Sequence, residues 1–217
     1  MQYEPIQQET SPVTSQPEPI DVHDDLMPYD QVLQFAAYLE SEGLLKAYCN
    51  GSNLSGRWIF QILNSEFIDE LADIVRAAIT TQEGEGPVLE VMAGDGRLTE
   101  FLRSRLAKEV VATDAKDGRY NIAYPKWVAN LDALSSVREY SPSLVIMSWE
   151  PYLSTAGAEI ADTGVPLVWI GNPEMCGVPR LFDLDHTRVR SKYAMSRHDS
   201  FLDGTSKSDI YLFNMDR

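Results

Sequence analysis

The chain of 217 residues holds two cysteines, three histidines and no lysine or arginine before Lys46. Each scarcity excludes something. Cys49 and Cys176 show no C-x-x-C spacing, and His23, His186 and His198 make no ligand pattern, so no structural metal is expected. No apolar run reaches membrane-spanning length and no charged-then-apolar leader opens the chain, so a soluble protein of a reducing compartment is expected. The cytoplasm is the default, with the nucleus left open. The nine acids before Lys46 carry −9 of the net −15, leaving −6 on the remainder. An acidic chain repels polyanions at long range, which disfavours nucleic acid and anionic membrane surfaces and leaves small molecules or proteins as partners.

With 44% hydrophobic content, the chain can bury one sizeable core, giving one domain with an appendage. Its most informative stretch is Val88 to Leu98, where an apolar run ends in two glycines and then turns helical. Pro87 to Ala93 reads as a buried parallel strand, Gly94 and Gly96 permit a tight turn, and Arg97 to Ala107 carries Leu98, Phe101, Leu102 and Leu106 at helical spacing. Such a loop, at the carboxyl end of a first strand, lets a ligand approach bare backbone near the positive end of a helix. Val110 to Asp114 is a second apolar run, ending in an acid about 20 residues after the loop, where a ribose hydroxyl partner is expected. The third glycine position of a dinucleotide motif is Thr99, which favours a nucleoside over a pyrophosphate.

From about Gly86 onward, the order of these signals resembles the class I S-adenosylmethionine-dependent methyltransferases. Glu90-Val-Met-Ala-Gly-Asp-Gly96 resembles the family's first motif, Asp114 its ribose-binding acid, Leu131-Asp132-Ala133 its adenine-contacting segment, and Leu144 to Trp149 its fourth strand. Met92 departs, standing where the family usually has its first glycine. The resemblance implies S-adenosyl-L-methionine as cofactor, held by Glu90, Gly94, Asp95, Gly96 and Asp114, with Asp132, Ser148 and Trp149 beyond them. Asp132 has a second reading, as N-cap of a helix over Ala133 to Tyr140.

Ser143 to Trp149 runs into Glu150-Pro151-Tyr152 at the strand end where, on this resemblance, a transferred methyl group emerges. The segment is similar in position to the Asp/Asn-Pro-Pro-Tyr of amino-group methyltransferases, but Trp149 and Glu150 replace its first two residues, so that amide clamp is missing. Glu150 is read either as a catalytic base or as a strand-end acid in water, and Tyr152 as a catalytic ring against the acceptor.

Residues 1–27 read as a flexible acidic tail. Asp30 can cap a helix carrying Val32, Phe35, Ala36 and Leu39 and ending near Gly43. Trp58, Ile59, Ile62 and Leu63 stand at helical spacing, and Ser65 opens a stronger helix to Thr81 with Phe67, Ile68, Leu71, Ile74, Val75 and Ile79 on its apolar face. The family's helices before the first strand often cover the cofactor, so residues 28–81 are expected to form a lid or cap. Tyr48, Arg57 and Trp58 are its candidate substrate-binding residues, each open to a blander reading as core or surface.

A short third strand is expected over Lys126 to Ala129 and a fifth over Pro166 to Gly171. Asn172, Glu174 and His186, after that fifth strand, join the substrate-binding candidates on the ligand side. A short helix is expected over Arg180 to Leu184, then an antiparallel hairpin of Thr187 to Ser196 with Ser208 to Met215. The expected fold is a three-layer α/β sandwich with a mostly parallel seven-stranded sheet, residues 86–217 binding the cofactor. The expected function is methyl transfer to a small-molecule or protein acceptor. A catalytically silent cofactor-binding or scaffolding protein, or a lyase or cyclase on the same fold, is the alternative.

Overall fold

The computed structural model describes residues 20–81, 84–117 and 122–215. In chain order the elements are α1 (Tyr29–Ser41), α2 (Leu45–Cys49), β1 (Gln61–Ile62), α3 (Ser65–Thr81), β2 (Val88–Val91), α4 (Arg97–Arg103), β3 (Val110–Asp114) and β4 (Ala129–Asn130). They continue with α5 (Ala133–Tyr140), β5 (Leu144–Ser148), α6 (Ala156–Asp162), β6 (Leu167–Gly171), α7 (Pro179–Phe182), β7 (His186–Val189), β8 (Met195–Ser196) and β9 (Asp209–Phe213).

Seven strands form one sheet in the order β4-β3-β2-β5-β6-β9-β7. Only β9 runs against its neighbours. The central strands are apolar almost throughout because helices cover both faces, and successive side chains divide between them. Val88, Leu144, Ile146, Val168 and Ile170 pack with α3 and α4 on one face. Leu89, Val91, Val145, Met147 and Trp169 pack with α5, α6 and α7 on the other. The result is a three-layer α/β architecture with a mostly parallel seven-stranded sheet.

A third core gathers Val32, Phe35, Leu39, Tyr48, Ile59 and Ile62 with Val22 and Met195. Helix α3 does not belong to it: its apolar face lies in the first core, against the sheet. The segment from Trp58 to Leu63 is extended, not helical, because β1 pairs antiparallel with β8 and this long-range ladder overrides the local apolar spacing. Of the flexible tail expected over residues 1–27, residues 1–19 lie outside the described residues, while Asp21, Val22 and His23 are buried. Asp30 sits in the first turn of α1, where it complements the helix dipole, and Pro28 takes the capping position. The hairpin keeps its pairing, β7 with β9, but its first strand stops at Val189, and Met195–Ser196 crosses to β1 instead. Strand β4 begins at Ala129, where the expected third strand ends. Helices α2 and α6 carried no signal strong enough to be read from the sequence. Among the described residues, no helix is long and apolar enough to cross a membrane.

Candidate functional site

Chain order reverses on either side of β2, whose neighbours are β3 and β5, and the carboxyl ends of these strands open onto a cavity of about 770 Å³. That is where ligands bind in open parallel sheets, and the volume lies within the usual range for small-molecule sites. Its walls come from the loop after β2, the segments after β3 and β5, the stretch 55–63, and His198.

At the glycine-loop end, Gly94 has φ +57°, a Cβ there would lie 3.8 Å from Ile122 Cδ1, and its amide donates to Asp114 Oδ2 at 2.9 Å. Asp114 Oδ1 accepts from the Lys116 amide at 2.7 Å. The acid at the end of β3 therefore fixes the loop after β2. Gly96 serves packing: φ is +76°, and a Cβ there would lie 2.4 Å from the Trp127 ring. It does not line the cavity. Met92, at the departure from the family's glycines, takes φ +54°, a left-handed conformation that glycine adopts freely. Trp149, at the end of β5, takes φ +56°. Two adjacent strands thus both end in strained non-glycine residues that line the cavity, at a cost of about 1–3 kcal/mol each.

Glu90 is 3% exposed, and one of its oxygens accepts from both the amide and the hydroxyl of Thr99 on α4. Burial, against these hydrogen bonds, pushes its carboxyl up to about 8. Thr99, at the position a third glycine would occupy, thereby anchors the motif's first acid.

Asp95 does not face the cavity free-handed. Its Oδ2 accepts from Arg57 Nη1 at 2.8 Å, and His23 Nε2 stands 3.6 Å away. Arg57 Nη2 and Arg97 Nη2 both reach Asp24 Oδ1, at 3.2 and 2.9 Å, and Arg97 Nε donates to the His23 carbonyl. Residues 21–24 are thereby strapped across the glycine loop. Arg57, a candidate substrate-binding residue, holds these protein carboxylates.

At the other end, Trp149 Nε1 donates to Gln61 Oε1 at 2.8 Å, and its ring lies 5.2 Å from His198 and 6.2 Å from Phe60, each tilted by 32°. Burial, with Arg197 and Lys207 nearby, lowers the His198 pKa below its ordinary value. Tyr152, 65% exposed, and Met175 stand at this end, and Ser148 and Trp58 also line the cavity.

Several expected site residues are bonded into the fold or lie away from the cavity. Glu150 is 1% exposed: Oε1 accepts from the Gly157 amide at 2.9 Å and Oε2 from Trp169 Nε1 at 3.0 Å, so both oxygens are engaged within the fold. It is not a strand-end acid in water; it lines the cavity with both oxygens already hydrogen-bonded, and burial raises its pKa. Asp132 is the N-cap of α5, accepting from the Ser135 amide at 3.0 Å, and is absent from the cavity wall. Tyr48 is buried in the third core, where its hydroxyl donates to the Ile20 carbonyl at 2.7 Å. Asn172 closes a turn by accepting from the Glu174 amide at 2.8 Å, and neither residue lines the cavity. His186 opens β7 opposite Phe213, which pairs in turn with Leu167 at the start of β6. It therefore lies at the amino end of the sheet, away from the cavity.

Sequence reasoning missed Phe60, Gln61, Tyr124, Cys176, His23 and His198 among the lining residues. No motif marks them, and Phe60, Gln61 and His198 are brought to the wall by the long-range pairing of β1 with β8. Cys49 and Cys176 are both buried free thiols. Among the described residues, no group of three or more His, Cys, Asp or Glu side chains is placed to hold a metal ion. No protein-family model and no curated protein matches the chain.

Proposed function

We propose that the chain is an S-adenosylmethionine-dependent methyltransferase of the class I kind. The observation that carries this reading is the single hydrogen bond from Gly94 to Asp114, which couples the glycine loop to the acid of the next strand beneath a cavity at the sheet's switch point. The closing pair β7 and β9 at the sheet edge is the arrangement the family resemblance implies.

The lining chemistry suits the cofactor. Glu90, Asp114 and Asp117 line the glycine-loop end, and the cations there, Arg57 and Arg97, are ion-paired with protein acids. With both guanidiniums ion-paired to protein acids, a polyphosphate would chiefly meet Asp114 and Asp117, and these two carboxylates complement a cationic nucleoside. Met92, Leu98, Ile122, Tyr124 and Pro125 supply apolar surface for a base. Glu90 and Asp114 are the residues assigned to the cofactor, with the Ala93–Asp95 backbone beside it.

When bound, the cofactor supplies a methyl group on an already activated sulfonium, so the protein chiefly aligns acceptor and methyl and accepts a proton where one must leave. Glu150 is committed to Gly157 and Trp169. Proton acceptance falls to His198, which lines the wall beside Trp149, and Tyr152 stands at the same end to contact the acceptor.

The test is calorimetric titration with S-adenosylmethionine and S-adenosylhomocysteine, for which micromolar binding of both is expected. No binding of either overturns the reading. The engagement of Glu150 also favours a second reading, a cofactor-binding protein without turnover. It is separated from the first by whether S-adenosylhomocysteine is released in the presence of acceptors.

A further inference from the structure

The cavity is polarised. Its glycine-loop end carries Glu90, Asp95 and Asp114, whereas its other end is walled by Trp58, Phe60, Trp149, Tyr152 and His198. The Arg197 guanidinium lies 5.0 Å from the Phe60 ring and 5.8 Å from that of Trp58. The one acid lining this end, Glu150, points its oxygens at Gly157 and Trp169.

Gln61 crosses this wall and is 7% exposed. Its amide orientation is fixed chemically, because an indole N–H only donates and must face the amide oxygen. The amide NH₂ is left over, and Nε2 is buried without a hydrogen-bond partner. A buried unmet donor costs free energy that native proteins rarely leave uncompensated. A ligand oxygen would compensate it once the amide turns toward the cavity, since Nε2 has almost no accessible surface of its own.

We propose that the aromatic end of the cavity is an acceptor subsite for a planar hydroxyaromatic molecule, its ring against Trp149 and its oxygen receiving the Gln61 amide donor; this rests on the methyltransferase reading for the word acceptor. The ring geometry suits a flat ligand, since Trp149, Phe60 and His198 lie within 32° of parallel in each pair with Trp149. The charge argues against a methylammonium or lysine occupant, which would meet Arg197 across the same rings.

The experiment titrates the full chain with 2-naphthol and with naphthalene, at saturating S-adenosylhomocysteine, by calorimetry. The wild type is expected to bind 2-naphthol at least tenfold more tightly than naphthalene, because a site built to bond an oxygen rejects the analogue lacking it. Gln61→Glu keeps an oxygen for the Trp149 indole but removes the donor, and is expected to erase that preference. Trp149→Leu is expected to weaken both ligands at least fivefold. Far-UV circular dichroism matching that of the wild type reports that each variant is folded. Equal affinity for the two probes in the wild type, or a preference that survives Gln61→Glu, overturns the subsite while leaving the cofactor reading intact. Failure of S-adenosylhomocysteine to bind overturns the cofactor reading, and probe discrimination by the protein alone then decides the subsite separately.

Discussion

The two ends of the cavity are built in opposite ways. The glycine-loop end comes from one stretch, β2 through β3, in which Glu90, Gly94, Thr99 and Asp114 bond to one another across a strand-turn-helix-strand unit. The aromatic end is assembled from 58–61, 149–152 and 198, brought together by the β1–β8 ladder and the Trp149–Gln61 hydrogen bond. One end is a local motif, and the other is a tertiary meeting point. They also differ in what burial does: at the first, a carboxylate is kept close to neutral, while at the second an amide donor is left unmet.

That contrast is most sharply broken at Glu90. Its carboxyl titrates near 8 when folded against the ordinary 4.5, so the folded state holds the proton more tightly than the unfolded chain. Stability from this group is complete below pH 4.5 and is lost as pH rises through about 8. Urea denaturation is expected to show the wild type losing stability relative to Glu90→Gln across that window. Parallel curves would mean the carboxylate is charged and solvated.

Glu150 is the next largest effect. Replacing it by Ala strands the Trp169 indole and the Gly157 amide, both buried, and is expected to cost about 3 kcal/mol of folding stability from two unmet donors. A loss of methyl transfer in Glu150→Gln without any loss of stability would restore it as a base.

Within the glycine-loop end, Asp114→Ala is expected to weaken S-adenosylhomocysteine binding by about 1–3 kcal/mol, through the released loop and lost charge-assisted bonds. Asp132→Ala, by contrast, is expected to leave that affinity unchanged and to lower stability by about 1 kcal/mol as a lost helix cap. If calorimetry gives the reverse ranking, the residues assigned to the cofactor are the wrong ones. The smallest effect is at His198, whose imidazole is expected to titrate below 6.5 in an NMR pH series, because burial, Arg197 and Lys207 all disfavour its charge. A midpoint at or above 6.5 would place it in solvent and remove it from the wall.

The layered sheet was legible because its central strands are short apolar runs bounded by turn residues, and Val110–Asp114 and Ala133–Tyr140 fall where their patterns put them. Asp132 shows where legibility stops. Its place before a helix fits a cap and a ligand contact equally well, and only the position of the α5 start relative to the cavity separates them. His186 failed for a topological reason: a residue soon after β6 is on the ligand side only if the chain stays there, and α7 carries it to the other end of the sheet.

The sequence by itself determined the α/β class, the glycine turn and the acid twenty residues on, since backbone conformation at glycine and the two-residue strand period are set by neighbouring residues. Tertiary structure alone decided that Glu150 is bonded into the core, that Arg57 straps Asp95, and that Gln61 and His198 face Trp149. Those outcomes depend on pairings across as many as 135 positions, as between Gln61 and Ser196, which no local pattern encodes and only the packed chain creates.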